Sequence, residues 1–292
     1  MRELRNKVAV VTGAASGIGR AMAESFAAQG MRLVLADIEE RPLAEVAQAM
    51  QRAGADILSY RLDVSNAAEV EALAKAAYDR FGAVHILCNN AGVAGEGVPV
   101  WLQTLDAWNW ILKVNLFGVI HGIHSFVPRM LAAGEDGHVV NTASVAGHLA
   151  GPRLSPYYVS KFGTVAISES LYHDLQQANA KINVSVLCPG FVKTKIIESQ
   201  RNRPKVGNFH APVSLDFAAA TLAMMEQGIA PEVVAEAVLE AIRLNRFWIM
   251  THPEYDEAIR QRADGILQRR NPALREAATQ PASSTRLPRE SP

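Results

Sequence analysis

A hydroxyl, a phenol and an ammonium fall within one short stretch, SVAGHLAGPRLSPYYVSK, that runs from Ser144 to Lys161. Tyr157 and Lys161 stand four apart in a segment that continues as FGTVAISESLYHDLQQ, a helical pattern, so both side chains project from one face. Ser144 must come from elsewhere. Its source is the end of the strand read in HVVNTAS, residues 138–144, and in a parallel sheet that C-terminal end is where ligands sit. A free tyrosine phenol, with a pKa of about 10, is a poor base near neutrality. A nearby ammonium favours the phenolate and is expected to bring that pKa toward the working range. The pair can act in either direction: the phenol protonates a carbonyl oxygen as hydride arrives, and deprotonates an alcohol as hydride leaves. A serine hydroxyl can hold that oxygen while charge develops on it. Tyr158 lacks the four-residue spacing and reads as packing or as a wall facing substrate. Tyr and Lys four apart are common on helices, so the pair gains meaning only from the rest of the chain.

The N-terminal segment supplies that context. Residues 8–12, VAVVT, form a short apolar run, and GAASGIGRAMAESFAAQG follows as a glycine-rich turn opening a helix. Gly13 can take a backbone conformation closed to other residues, Gly17 leaves room for a cofactor, and Gly19 lets the helix pack closely. Free N–H groups at the start of that helix suit a pyrophosphate. The next strand, MRLVLAD, ends at Asp37, where a carboxylate accepts hydrogen bonds from the adenine ribose hydroxyls. A 2′-phosphate there would be repelled, and neither Ser16 nor Ile38 carries a positive charge to offset it. Arg41 and Arg20 are the cations that could swing in. NAD is therefore expected over NADP.

Strand and helix patterns alternate along most of the chain, which argues for βαβ units and a parallel sheet. Strands are expected near 8–12, 32–37, 57–61, 84–88, 138–143, 182–188 and 247–250. Helices are expected near 18–29, 41–53, 67–81, 106–131, 156–179, 232–243 and 255–269. The expected fold is α/β, a doubly wound seven-stranded parallel sheet of Rossmann-like type with three αβα layers. Residues 1–270 are expected to form a single domain.

Several loops carry further candidates. Asp63 and Val64 follow the third strand; the aspartate could accept from an adenine amino group or cap the helix beginning after Ser65. NNAG, residues 89–92, could tie neighbouring loops together while Gly92 admits a ribose, or be a plain turn. Asn115 is out of place on an apolar helical face, and a buried amide must be hydrogen-bonded. It either satisfies an irregular helix or holds a water that would give protons an exit past Lys161. Residues 190–231, broken by Pro and Gly, are expected to form a substrate lid. Phe191, Ile196, Ile197, Phe209, Met224 and Met225 there predict a roomy apolar pocket. Arg201, Arg203 and Lys205 are solvated lid residues or receptors for an acid group. Residues 271–292, rich in Pro, Arg and Ser, are expected to be a mobile tail.

Composition narrows the function classes. The chain has 292 residues, enough for one large core, and 29 basic against 29 acidic side chains, a balance that points to no nucleic acid or anionic membrane. Cys88 and Cys188 end apolar runs and read as buried thiols. The histidines form no HExxH, and His121 with His124 lack further ligands, so no metal is expected. MRELRNK runs straight into the first strand without a signal peptide, and no apolar stretch is expected to span a bilayer. The expected location is the cytoplasm.

Taken in order, TGAASGIG at 12–19, Asp37, DV at 63–64, NNAG at 89–92, Asn115, Ser144, YYVSK at 157–161 and PGFVKT at 189–194 resemble the classical short-chain dehydrogenases/reductases. The resemblance covers residues 5 to about 250. It implies a catalytic tetrad of Asn115, Ser144, Tyr157 and Lys161, with Asn115 on a water-linked proton path and Lys161 serving the nicotinamide ribose and the phenol. It implies cofactor contacts at Gly13, Ser16, Ile18, Gly19, Asp37, Asp63, Val64, Asn90, Tyr157, Lys161 and Val192, with Thr194 near the carboxamide. It also implies a homodimer or homotetramer built on the two long helices, where Gly163, Ala166 and Ser170 would permit close packing on another copy or on the sheet. The stretch from Gly228 to Arg262 looks like a subgroup that includes bacterial Cα-dehydrogenases of lignin-type aryl ethers. The expected activity is NAD-dependent hydride transfer between nicotinamide C4 and a secondary alcohol or ketone, bulky and aromatic or alicyclic. The alternatives are an NADP-dependent ketone reductase and a non-catalytic dinucleotide-binding protein.

Overall fold

Every residue of VAVVT is buried in β1 (Val8–Thr12), and the same holds for β4 (Ile86–Asn89) and β5 (Gly137–Thr142). Such runs are what a strand covered on both faces requires. The computed structural model describes residues 1, 3–209 and 215–273. Within them β1 is joined by β2 (Arg32–Asp37), β3 (Ile57–Arg61), β6 (Ile182–Cys188) and β7 (Trp248–Met250) in one sheet. The strand order is β3-β2-β1-β4-β5-β6-β7, with every pairing parallel. The order reverses between β1 and β4, and a crevice opens at the C-terminal ends of strands at such a point.

Alternation along β1 divides the core in two. Ala9 and Val11 face Met22 and Phe26 of α1 (Gly17–Ala28), with Leu43 of α2 (Glu40–Arg52) and Val238 of α8 (Pro231–Leu244) in the same cluster. Val8 and Val10 face the other way, toward Leu73 of α3 (Ala67–Phe81), Phe126 of α5 (Gly118–Ala133) and Leu171 of α6 (Ser155–Gln177). The result is the expected three-layer αβα arrangement with a Rossmann-like sheet. Gly163 of α6 sits against Leu116 of its own chain, where an added Cβ would come within 3.0 Å of that side chain, whereas Ala166 and Ser170 are exposed.

The long helix expected near 106–131 is interrupted. It consists of α4 (Leu105–Leu112), a π-helical turn (Lys113–Phe117) and α5. Counted as one run, Leu105–Ala133 is long and apolar enough to cross a membrane by length and composition, contrary to the expectation that no such stretch exists. Half of its most apolar window is buried inside the fold, where it packs on α3, α6 and the sheet. The segment between β6 and α8 contains a 3₁₀ stretch (Ile196–Asn202) and α7 (Leu215–Glu226). After β7 the chain forms α9 (Asp256–Leu267). Of the expected lid, residues 210–214 lie outside the described residues, as do residues 274–292 of the expected tail. Cys88 and Cys188 are buried free thiols.

Candidate active site

The C-terminal ends of the strands border a cleft of about 1400 Å³. Ser144, Tyr157 and Lys161 all line it. Ser144 lies just past β5, after Ala143, its Oγ accepting from Ala146 N at 3.1 Å and donating to Pro189 O at 3.2 Å. These two bonds hold the hydroxyl at the strand end. α6 begins at Ser155 with Pro in its first turn, which suits a helix start because that N–H has no intrahelical partner. One turn separates Tyr157 from Lys161, and Lys161 Nζ lies 5.6 Å from the Tyr157 ring centroid. Lys161 is buried and donates to Thr142 O at 2.9 Å.

Charge in this group differs from the expectation drawn from spacing. Burial pushes the Tyr157 phenol up to about 12, against a downward pull from a hydrogen bond with Ser144. Burial also lowers Lys161 to about 8. Desolvation disfavours the charged form of each, and the ammonium bonds a backbone carbonyl instead of the phenol oxygen. The arrangement therefore holds a neutral phenol ready to donate a proton, with Ser144 as its hydrogen-bond partner.

Asn115 sits in the π-helical turn and is buried. Its Oδ1 accepts from Val93 N at 2.8 Å and its Nδ2 donates to Val93 O at 3.0 Å and to Ser160 Oγ at 3.2 Å. These bonds satisfy the buried amide within an irregular helix. The amide clamps the loop after β4 to both long helices. Asn90 does similar work, with Nδ2 donating to Thr12 O at 3.0 Å and Oδ1 accepting from Thr142 Oγ1 at 3.2 Å. NNAG is thus a tie between β1 and β5 and not a plain turn.

The glycine-rich turn forms a cradle that side chains would fill. Gly13 has φ +68°, and a Cβ on Gly19 would stand 2.1 Å from Gly13 O. Ser16 precedes α1 without capping it through its side chain, and no acidic residue occupies the first turn. An anion such as a pyrophosphate fits there. Asp37 ends β2, with Oδ2 accepting from Ala15 N at 3.0 Å and Oδ1 from Glu39 N at 2.9 Å. Burial raises its pKa against those two bonds. Asp63 does not cap α3. Asn66 is the N-cap, its side chain accepting from Ala68 N, while Asp63 Oδ1 accepts from Ser65 N at 2.9 Å. A helix cap must sit next to the first turn, and Asp63 is three residues too early. Gly13, Ser16, Ile18, Asp37, Asp63, Val64, Asn90, Val192 and Thr194 line the cleft, whereas Gly19 and Asn115 stand behind its wall.

The lid side brings partners no sequence pattern pointed to. Arg201 reaches the end of β2 and donates to Glu39 through Nε at 2.8 Å and Nη2 at 2.7 Å. Arg203 pairs with buried Glu96. Both arginines expected either to be solvated or to receive an acid group are thus engaged with carboxylates of their own chain. Phe191, Ile196, Ile197, Phe209 and Met225 line the cleft as expected, but Met224 does not. Tyr158 is buried and also lines it. His252 fixes the loop after β6: Nδ1 accepts from Gly190 N at 2.9 Å and Nε2 lies 3.0 Å from Phe191 O. Thr12 Oγ1 accepts from Asn90 N at 2.9 Å, and a hydroxyl closing an apolar strand was the available clue to it.

Known proteins resemble this chain in sequence and in fold. The short chain dehydrogenase family profile matches residues 7–205. A short chain dehydrogenase/reductase from Burkholderia phymatum, solved in complex with NAD, is 42% identical with a TM-score of 0.90, covering 95% of this chain and 100% of that one. The 1-deoxy-11-beta-hydroxypentalenate dehydrogenase of Streptomyces avermitilis is 35% identical over 252 residues, 86% of either chain. The C alpha-dehydrogenase of a Sphingobium species is 32% identical over 273 residues, covering 91% of this chain and 87% of its own.

Proposed function

The chain belongs to the short-chain dehydrogenase family of oxidoreductases, and from that premise we propose that it transfers a hydride between the nicotinamide C4 of NAD and a secondary alcohol or ketone on a bulky aromatic or alicyclic skeleton. The observation that carries this reading is the meeting of Ser144 and Tyr157 hydroxyls in the same cleft as the glycine cradle and Asp37. Gly13, Ser16 and Ile18 would hold the pyrophosphate, with Gly19 letting the helix close on the Gly13 turn behind them. Asp37 would take the adenine ribose hydroxyls, with Asp63 and Val64 at the adenine. Asn90, Tyr157, Lys161, Val192 and Thr194 would hold the nicotinamide half. When bound, oxidised NAD supplies the hydride acceptor and a positive charge beside the phenol.

Tyr157 is the acid/base: its oxygen takes the alcohol proton in oxidation and returns a proton to the carbonyl in reduction. A buried phenol raised to about 12 stays protonated and so carries the proton that reduction consumes, and a cation alongside would lower its pKa toward the range useful in either direction. Ser144, placed by Ala146 N, would turn its one hydroxyl proton from Pro189 O to the substrate oxygen. Lys161 orients the ribose and supports the phenolate, and Asn115 positions the loop at Val93 and the water-linked proton path. Residues 1–270 act as one domain with 190–231 as lid. Assembly as a homodimer or homotetramer through the two long helices accords with Phe117 at 46% and Val159 at 47% exposure.

NADP-dependent reduction is the second reading within the family, and Asp37 with Glu39 beside it opposes a 2′-phosphate. A non-catalytic dinucleotide-binding role is opposed by the intact serine, tyrosine and lysine. The test is formation of reduced nicotinamide from NAD and, separately, NADP across benzylic and alicyclic secondary alcohols. We expect turnover with NAD, and Tyr157→Phe to retain NAD binding while losing about 10³-fold or more in rate. Equal turnover by Tyr157→Phe would sink the assignment of the acid/base.

A further inference from the structure

A second polar cluster lines the cleft in addition to the Ser144–Tyr157–Lys161 group. Glu96 lies on the loop after β4, one residue beyond Gly95, where an added Cβ would stand 3.7 Å from Tyr157 Cβ. Its side chain is 1% exposed. One oxygen, Oε1, accepts from Arg203, and the Arg203 guanidinium lies over the rings of Phe209 at 4.6 Å and Trp110 at 5.7 Å. Among the described residues, Glu96 Oε2, Gln200 Oε1 and Arg203 Nε are buried without a hydrogen-bond partner. Glu96 and Gln200 both line the cleft, as do the apolar rings of Trp110 and Phe209.

Unpaired buried polar atoms are costly, and this set constrains what completes it. A substrate carboxylate has no receptor here, because the guanidinium is already neutralised by Glu96 and the remaining side-chain oxygens are acceptors. A purely apolar or ether group would bury Glu96 Oε2 with nothing donating to it. An ammonium would satisfy the acceptors but sit beside the Arg203 cation. A hydroxyl can donate to Glu96 Oε2 or Gln200 Oε1, while Arg203, which stands behind the cleft wall, keeps the other Glu96 oxygen occupied.

Resting on the oxidoreductase reading above, we propose that Glu96, supported by Gln200 and Arg203, recognises a second hydroxyl on the substrate, remote from the carbinol that reacts. The substrate class is then a neutral, hydroxylated aromatic or alicyclic secondary alcohol, or the matching ketone. Glu96 sets specificity and takes no part in proton transfer.

The test is calorimetric titration of the full-length Tyr157→Phe protein, saturated with NAD, with secondary benzylic alcohols of phenyl and biphenyl, each bare, para-hydroxy and para-methoxy. At the ring length that reaches Glu96, the hydroxy compound should bind about tenfold or more tighter than the bare and methoxy compounds. Adding Glu96→Met with Arg203→Met, which removes the pair without leaving a lone buried charge, should bring that ratio toward one, and Gln200→Leu should lower it. A clasp that merely holds the lid would weaken all compounds alike and leave the ratio unchanged, which overturns the proposal. So does a ratio near one at both ring lengths before Glu96 is touched. Because binding is read separately from turnover, a retained hydroxy preference with no NAD reduction by the unmodified enzyme would overturn the reaction and leave Glu96 recognition standing.

Discussion

Lys161 illustrates how burial, more than neighbours, sets chemistry at the scale of one residue. Its ammonium is held by Thr142 O, and its pKa falls from 10.5 to about 8. Between those values the unfolded chain binds the proton more than the folded chain does, so stability rises with pH through that window. Below about pH 8 the folded protein carries a buried cation and bears its desolvation cost. Lys161→Met should abolish this slope between about pH 8 and 10.5, measured as denaturant unfolding free energy against pH for both proteins. Parallel profiles would mean that the lysine is better solvated than its burial implies.

At the scale of elements, the end of β2 and the 3₁₀ stretch Ile196–Asn202 are strapped together beside the Asp37 end of the cleft by Glu39 and Arg201. The pair is bidentate, lowers the Glu39 pKa and raises that of Arg201. It is partly exposed, at 20% and 34%, so its direct worth is at most about 1 kcal/mol and falls with salt. Its larger effect is to keep a guanidinium occupied two residues from Asp37. Glu39→Gln removes one acid and frees Arg201 for a 2′-phosphate, and should raise kcat/KM for NADP relative to NAD about tenfold, some 1.4 kcal/mol. An unchanged ratio would locate cofactor choice at Asp37 alone.

For the whole molecule, the two-sided burial of the sheet carries a liability toward acid. His138 on β5 is fully buried, its Nε2 2.7 Å from Ser185 Oγ of β6, and burial lowers its pKa to about 3. Below about pH 6.5 the unfolded chain takes up a proton that the folded chain refuses. Stability is therefore fully present above 6.5 and is lost as the pH falls toward 3. His138→Leu keeps the volume and leaves Ser185 bonded to Arg246 O, so its acid-unfolding midpoint, followed by circular dichroism, should move to lower pH. A midpoint that stays in place would assign acid sensitivity to other groups.

Most of the layered architecture was legible from residue order alone, because strands covered on both faces must be apolar runs and helices covered on one face must be periodic. Each expected strand appears, as does each expected helix save that near 106–131, which is split into α4 and α5, and the spaced glycines, Asp37 and the Tyr157–Lys161 pair lie where local geometry requires. Tertiary structure decided the rest. The π-helical turn at Asn115 depends on both hydrogen bonds to Val93, 22 residues earlier, which no helical periodicity contains. Asn66 capping α3, in place of Asp63, depends on where the backbone turns. Arg201 and Glu39 are 162 residues apart, and Arg203 and Glu96 are 107 apart. Ion pairs at such separations follow from how loops cross the sheet's C-terminal edge. Side-chain chemistry is written in the sequence, but burial and partnership, which set each charge, exist only once the chain has closed on itself.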